Sequence, residues 1–217
     1  MRALVTGFGP FPGAPYNPTE RLVQRLCALR RPAFAGIERI PHNFTVAYGA
    51  VDRDLPRHLA DHRPDILLMF GLAARTPYLR IETRARNAIT TIWPDADGSR
   101  IGFGKIAHGA DDALTFGPHM ARLLRAAEET GMPARASRDA GRYLCNYLCW
   151  RAIEANAASA APPLSAFIHV PLTPRGTVSI RKGGPRKVTA DDLLRAGEAI
   201  LREMIRLARL RRSGRMR

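Results

Sequence analysis

Near the middle of the chain, the segment DAGRYLCNYLCW (Asp139 to Trp150) places Cys145 and Cys149 four residues apart. Three roles are open to such a pair: metal ligation, packing inside a helix, or nucleophilic attack by one thiolate. On a helix, a spacing of four puts both thiols on one face. No other Cys or His stands at the usual zinc-motif spacing from them, which argues against a metal site. A cysteine in the first turns of a helix meets free N–H groups and a positive partial charge. Both favour the thiolate, and the N–H groups can hold an oxyanion. The run Asp139-Ala140-Gly141 suits a tight turn into that helix. Thiol catalysis also needs a base, and a third group to orient the base. His169 sits in FIHVP at the end of an apolar run, where α/β sheets place reactive groups. Glu82 lies on the polar side of an alternating segment, where it can orient a histidine. Each residue also has a plain structural reading. Cys145 and Cys149 can be small core residues, His169 a satisfied core histidine, and Glu82 part of a surface ion-pair strand with Arg80, Arg84 and Arg86.

The elements that must carry these groups alternate between strand and helix. Ala3 to Thr6 reads as a first strand. The loop GFGPFPGAPYNPTE follows and ends in a helix-start signal: Asn17 as cap, Pro18 in first position, Glu20 three after the cap. The helix runs to about Leu29. Gly36 to Pro41 fits a second strand, and Thr45 to about His62 a helix with a kink or break at Pro56. DILLMFG, Asp65 to Gly71, is a continuous apolar run, as a buried parallel strand requires. Tyr78 to Ala88 alternates as one strand with a polar face. A long loop is expected over Thr90 to Gly117, then a helix to Thr130 closed by Gly131. Ala134 to Arg138 fits a short strand, and the cysteine segment opens a helix to about Ala157. Ser165 to Leu172 fits another buried strand. The last helix opens at Thr189, with Asp192 in capping position, and runs to about Arg209. This alternation predicts an α/β single-domain three-layer sandwich: a mainly parallel twisted sheet with helices on both faces.

Composition narrows the class further. The chain has 217 residues, 46% hydrophobic and 24% charged, which is ordinary globular composition. No apolar run approaches the roughly 20 residues that a spanning helix needs. The opening MRALVTGFGPF lacks the apolar stretch of a signal peptide. Three cysteines with no scaffold spacing point to free thiols in a cytoplasmic setting. The net charge is +15, and lysine occurs only at Lys105, Lys182 and Lys187. The arginines are scattered through every element. Only residues 210–217 and the turn before them form a basic run, which reads as a mobile tail. Aromatic interleaving is absent, so nucleic-acid binding is the lesser reading. GFGPFPG lacks the Lys-Ser/Thr end of a phosphate loop and the spacing of a dinucleotide fingerprint. Its phenylalanines suggest an apolar pocket instead.

Four segments occur in order: TGFGPFPG followed by NPT; PDILLMFGLA with RTPYLRIETRARN behind it; DAGRYLCNY; and FIHVP. Together they resemble the pyroglutamyl peptidase I (pyrrolidone carboxyl peptidase) family of cysteine peptidases, from Val5 to about Pro171. The resemblance implies a phosphorylase/hydrolase-like fold and a thiol protease with a Cys–His–Glu triad. It implies a peptide substrate with a blocked N-terminus, no metal or cofactor, and a homo-oligomer, dimer or tetramer. By motif, Cys145 is the nucleophile, His169 the general base and later acid, and Glu82 the orienting carboxylate. Phe8 and Phe11 match the walls of the pyrrolidone pocket. The chain also departs from the family pattern. After ETRARN it reads TTIWPDAD, so Ile92 stands where the family has an arginine near the oxyanion. Trp93 stands where a smaller pocket residue is usual and is expected to contact substrate. FPG replaces FGG. Arg84 or Arg86 could supply the missing charge. A binding or regulatory relative that kept the fold without the chemistry is the alternative reading.

Overall fold

The computed structural model describes residues 1–11, 13–102, 104–174 and 188–214. Pro12 of the FPG turn and the last three residues of the basic tail lie outside the described residues. The most apolar segments of the chain form the middle of a six-stranded sheet. β1 (Arg2–Phe8), β3 (Ile66–Leu72) and β8 (Leu164–Val170) run parallel and side by side. β2 (Glu38–Phe44) joins β1 in parallel at one edge. At the other edge β4 (Leu79–Glu82) runs antiparallel to β8, and β7 (Ala134–Ser137) is parallel to β4. The order is β2-β1-β3-β8-β4-β7, so four strands point one way and two the other.

The helices cover both faces. α1 (Pro18–Ala28), α3 (Met120–Glu128) and α5 (Ala190–Arg212) pack on one side; α2 (Tyr48–His62) and α4 (Leu144–Ala157) pack on the other. Burial of the strands on both faces explains their near-continuous apolar sequences.

Local chemistry sets several boundaries as the sequence suggests. Asn17 accepts from the Thr19 N–H at 3.1 Å and starts α1. Thr19 Oγ1 in turn accepts from the Phe8 N–H at 3.0 Å and lies 3.1 Å from the Phe8 carbonyl. The helix start thereby clamps the end of β1, which fixes the loop carrying Phe11. Thr189 and Asp192 form a reciprocal capping box on α5. α5 continues to Arg212, so the first residues of the expected tail are helical; Arg211 donates to the Pro162 carbonyl at 3.0 Å.

Pro56 sits inside α2 without breaking it. Proline removes one N–H, but Val51 and Leu55 are buried and hold the helix against the sheet. The helix starts at Tyr48, later than expected, where Asp95 from a distant loop accepts from the Tyr48 N–H at 2.9 Å. The segment Tyr78 to Ala88 is not one strand. It breaks at Thr83 into β4 and β5 (Arg84–Arg86), and β5 pairs antiparallel with β6 (Ala113–Thr115) in a separate small sheet. Thr83 makes the transfer: its N–H donates to Ser137 at 2.7 Å, while its carbonyl accepts from Phe116 at 3.0 Å.

The β2 edge carries a pH-sensitive contact. His42 packs edge-on against Phe44 at 4.5 Å and 4.2 Å from His58, with Asp54, Arg53 and Arg57 facing it. Burial, then the His58 charge, pulls the His42 pKa from 6.5 down to about 4. The unfolded chain takes up this proton near pH 6.5 and the folded chain only near 4. Stability is therefore present above that window and lost as pH falls through it. Urea unfolding should show a loss on the order of 2 kcal/mol across the window from this group. His42→Gln should flatten that part of the pH profile; an unchanged slope would contradict the assignment.

Candidate active site

Strand register brings the site together. On β8, His169 pairs with Gly71 of β3 on one side and Arg80 of β4 on the other. Two residues earlier Phe167 pairs with Glu82. Residues directly opposite each other share a face, as do residues two apart, so Gly71, Arg80, Glu82, Phe167 and His169 all point toward one layer. α4 lies in that layer, and Cys145 is its second residue.

The structure gathers the three residues expected to act together. His169 Nδ1 lies 2.8 Å from Glu82 Oε1, and both side chains are buried. Cys145 makes a side-chain hydrogen bond with the His169 ring. The imidazole thus bridges thiol and carboxylate. Burial pushes the His169 pKa down, but the charge and hydrogen bond of Cys145, followed by those of Glu82, outweigh it and raise the pKa from 6.5 to about 9. These contacts favour the protonated ring. Cys149 is fully buried one turn on. Burial, with the charges of Glu82 and Cys145 added, raises its pKa, so it packs as a neutral thiol.

Further residues hold the three in place. Arg80 is the first. Its Nε lies 3.1 Å from Glu82 Oε1, and its guanidinium also bonds Ser137 Oγ and the Asp139 carbonyl. It joins the Glu82 carboxylate to the turn that leads into α4. Asn146 is the second. Its amide accepts from the Arg86 N–H at 2.9 Å and donates to the Arg86 and Ala88 carbonyls, both at 2.8 Å. This bolts the first turn of α4 to the chain beyond β5. In the turn itself, Asp139 accepts from the Gly141 N–H at 3.0 Å, and Gly141 adopts φ +86°. Only glycine takes that conformation without strain. No side chain caps α4. Its first N–H groups, those of Leu144, Cys145 and Asn146, therefore have no intrahelical partner.

A cavity of about 170 Å³ opens on Cys145 and His169. Phe8 and Phe11 line it, as the sequence suggests, and so do Val46, Leu72 and Tyr143, which sequence reading missed. The walls are largely apolar. Arg142 also borders the cavity, whereas Arg84 and Arg86 reach outward to the Arg138 carbonyl and Asp139. Trp93 does not line the cavity: it is 67% exposed, and Ile92 is 69% exposed. Their loop nevertheless touches the rim. The Thr90 N–H donates to the Arg142 carbonyl at 2.6 Å, and Tyr143 Oη donates to Pro94 at 2.8 Å. A larger cavity of about 590 Å³ lies at the opposite end of β8, beside His119 and Ser165, away from the thiol.

Comparison with known proteins agrees with this arrangement. The family model for pyroglutamyl peptidase matches residues 1–206. The pyrrolidone-carboxylate peptidase of Pyrococcus furiosus is 35% identical over 84% of this chain and 87% of its own length. That of Levilactobacillus brevis is 30% identical over 89% of this chain and 92% of its own. Among solved structures, the P. furiosus pyrrolidone carboxyl peptidase superposes with a TM-score of 0.83 at 30% identity, covering 96% of this chain and 100% of that one. The Bacillus amyloliquefaciens pyroglutamyl peptidase I superposes with a TM-score of 0.79 at 26% identity, covering 94% and 97%. A bridged thiol and imidazole over an apolar cavity, on a fold shared along nearly the whole length, place this chain in the pyroglutamyl peptidase family of cysteine peptidases.

Proposed function

We propose that the chain removes an N-terminal pyroglutamyl residue from peptides, with Cys145 as nucleophile, His169 as acid and base, and Glu82 as the group that orients the imidazole. The observation that carries this is the bridge itself: His169 Nδ1 at 2.8 Å from Glu82, with the Cys145 thiol bonded to the same ring. The Cys145 thiolate attacks the pyroglutamyl carbonyl, and the oxygen gains negative charge. The free N–H groups at the start of α4, the helix that carries Cys145, donate hydrogen bonds to it. The His169 ring gives its proton to the leaving amine as the C–N bond breaks, leaving a thioester on Cys145. Water then attacks the thioester. His169 takes the water's proton, and pyroglutamate leaves as the thiol is restored.

The cavity supports the substrate class. A lactam ring is small and uncharged, which suits walls made by Phe8, Phe11, Val46 and Leu72. Proline has a similar ring but a charged amine, which such walls would have to desolvate. Release of a fluorescent amine should therefore be fast from a pyroglutamyl amide and at least about 100-fold slower from the prolyl amide, a difference of roughly 3 kcal/mol. Equal rates would overturn the substrate assignment.

The pH profile follows from His169. Below about pH 9 the ring holds the proton that the leaving amine needs, and above it the proton is lost. The rate constant kcat/KM is expected to fall on the alkaline side with a midpoint near 9. A profile still flat well above that midpoint would contradict the assignment.

The same proposal covers the setting. All three cysteines are free thiols, which supports a cytoplasmic location. Among the described residues, no helix is long and apolar enough to cross a membrane. Assembly into a dimer or tetramer is part of the proposal and rests on the family resemblance.

A further inference from the structure

Gly71 lies on β3 beside His169, under the sulfur of Cys145. Its backbone conformation does not demand glycine, because Gly71 is not among the positive-φ residues. Space does. A Cβ at this position would fall 2.8 Å from Cys145 Sγ, and 2.6 Å and 2.9 Å from Cζ and Cε1 of Phe167. All three distances are far inside ordinary contact separations. Phe167 in turn packs edge-on against the His169 ring, with centroids 5.0 Å apart. A glycine inside a buried strand costs stability, and its usual reason is close approach by another group. Here the approaching group is the nucleophile.

We infer that Gly71 is a positioning residue for the thiol: its missing side chain sets how deeply Sγ sits against His169. The inference rests on the reading of Cys145 as the nucleophile. A methyl group at position 71 must push the sulfur out, the Phe167 ring aside, or both. A sulfur displaced by about 1 Å loses alignment with both the imidazolium and the substrate carbonyl, and an error of that size costs on the order of 100-fold in rate.

The test separates the two contacts. Gly71→Ala meets both the sulfur and the ring. Phe167→Leu lacks Cζ and Cε1, so Gly71→Ala/Phe167→Leu keeps only the sulfur contact. Three properties are measured for each variant: thermal midpoint, kcat on a pyroglutamyl amide, and the titration of the His169 ring by proton NMR. The double variant should regain the thermal midpoint of Phe167→Leu while its kcat stays about 100-fold lower. Its His169 ring should titrate at lower pH than in Phe167→Leu, because the Cys145 contacts that help to raise its pKa have been drawn away. A double variant that matches Phe167→Leu in both kcat and imidazole titration would overturn the proposal and leave Gly71 a packing residue. If Gly71→Ala alone does not fold, the double variant carries the comparison. The imidazole titration needs no substrate, so a wrong substrate assignment would leave this test standing.

Discussion

Replacing Cys145 by alanine is expected to lower kcat/KM toward a pyroglutamyl amide by at least about 10,000-fold, because the covalent route disappears with the sulfur. The loss should be one of chemistry. Cys145 is half-buried at a helix start whose anchoring comes from Asn146, and Asn146 stays in place. The thermal midpoint should therefore change little. A second effect sets this apart from general damage. Among the contacts that raise the His169 pKa to about 9, those of Cys145 come first. With the sulfur gone, burial has less opposing it, and the ring should titrate lower. Proton NMR of the His169 ring against pH measures this directly. Retained turnover by a purified Cys145→Ala protein would remove the mechanism. An unmoved imidazole titration would remove the thiol–imidazole contact.

Glu82→Gln is expected to cost about 100- to 10,000-fold in kcat, since an amide keeps the shape of the carboxylate but not its charge. The imidazolium then has no negative partner at 2.8 Å. The alkaline limb of the rate profile should move to lower pH, because the hydrogen bond and charge of Glu82 help to raise the His169 pKa. Stability should also fall, on the order of 3 kcal/mol, because Arg80 is left without its carboxylate in a mostly buried position. Urea unfolding and the pH–rate profile read the two effects separately. A variant with wild-type kcat would show that Glu82 does not act through His169.

The reach of the sequence follows from the range of each interaction. The starts of α1 and α5 were legible because a cap acts over three residues, as Asn17 and Thr189 do. β3 and β8 were legible because burial on both faces forces a run of apolar side chains. Cys145, His169 and Glu82 stood out because each has the right chemistry and lies in a segment resembling one family. The residues that support them did not stand out. Arg80 looked like one of several surface arginines, since its link to Ser137 and Asp139 depends on the pairing of β4 with β7. Asn146 carries no signal in the sequence, because its partners lie about 60 residues away. The alternating pattern of Tyr78 to Ala88 hid a break at Thr83, whose partners, Ser137 and Phe116, lie on later segments. Trp93 shows the opposite limit. The resemblance sets it at a pocket position, yet it does not line the cavity and is 67% exposed.

Hydrolysis is expected to pass through a thioester on Cys145. An activated pyroglutamyl ester acylates quickly, so water attack limits turnover and the acyl-enzyme accumulates. Acid quenching during turnover, followed by mass spectrometry of the digested protein, should find a pyroglutamyl group on the peptide that contains Cys145. The same treatment of Cys145→Ala should leave that peptide unmodified. Turnover with no adduct on Cys145, or with the adduct on Cys27 or Cys149 instead, would contradict the claim.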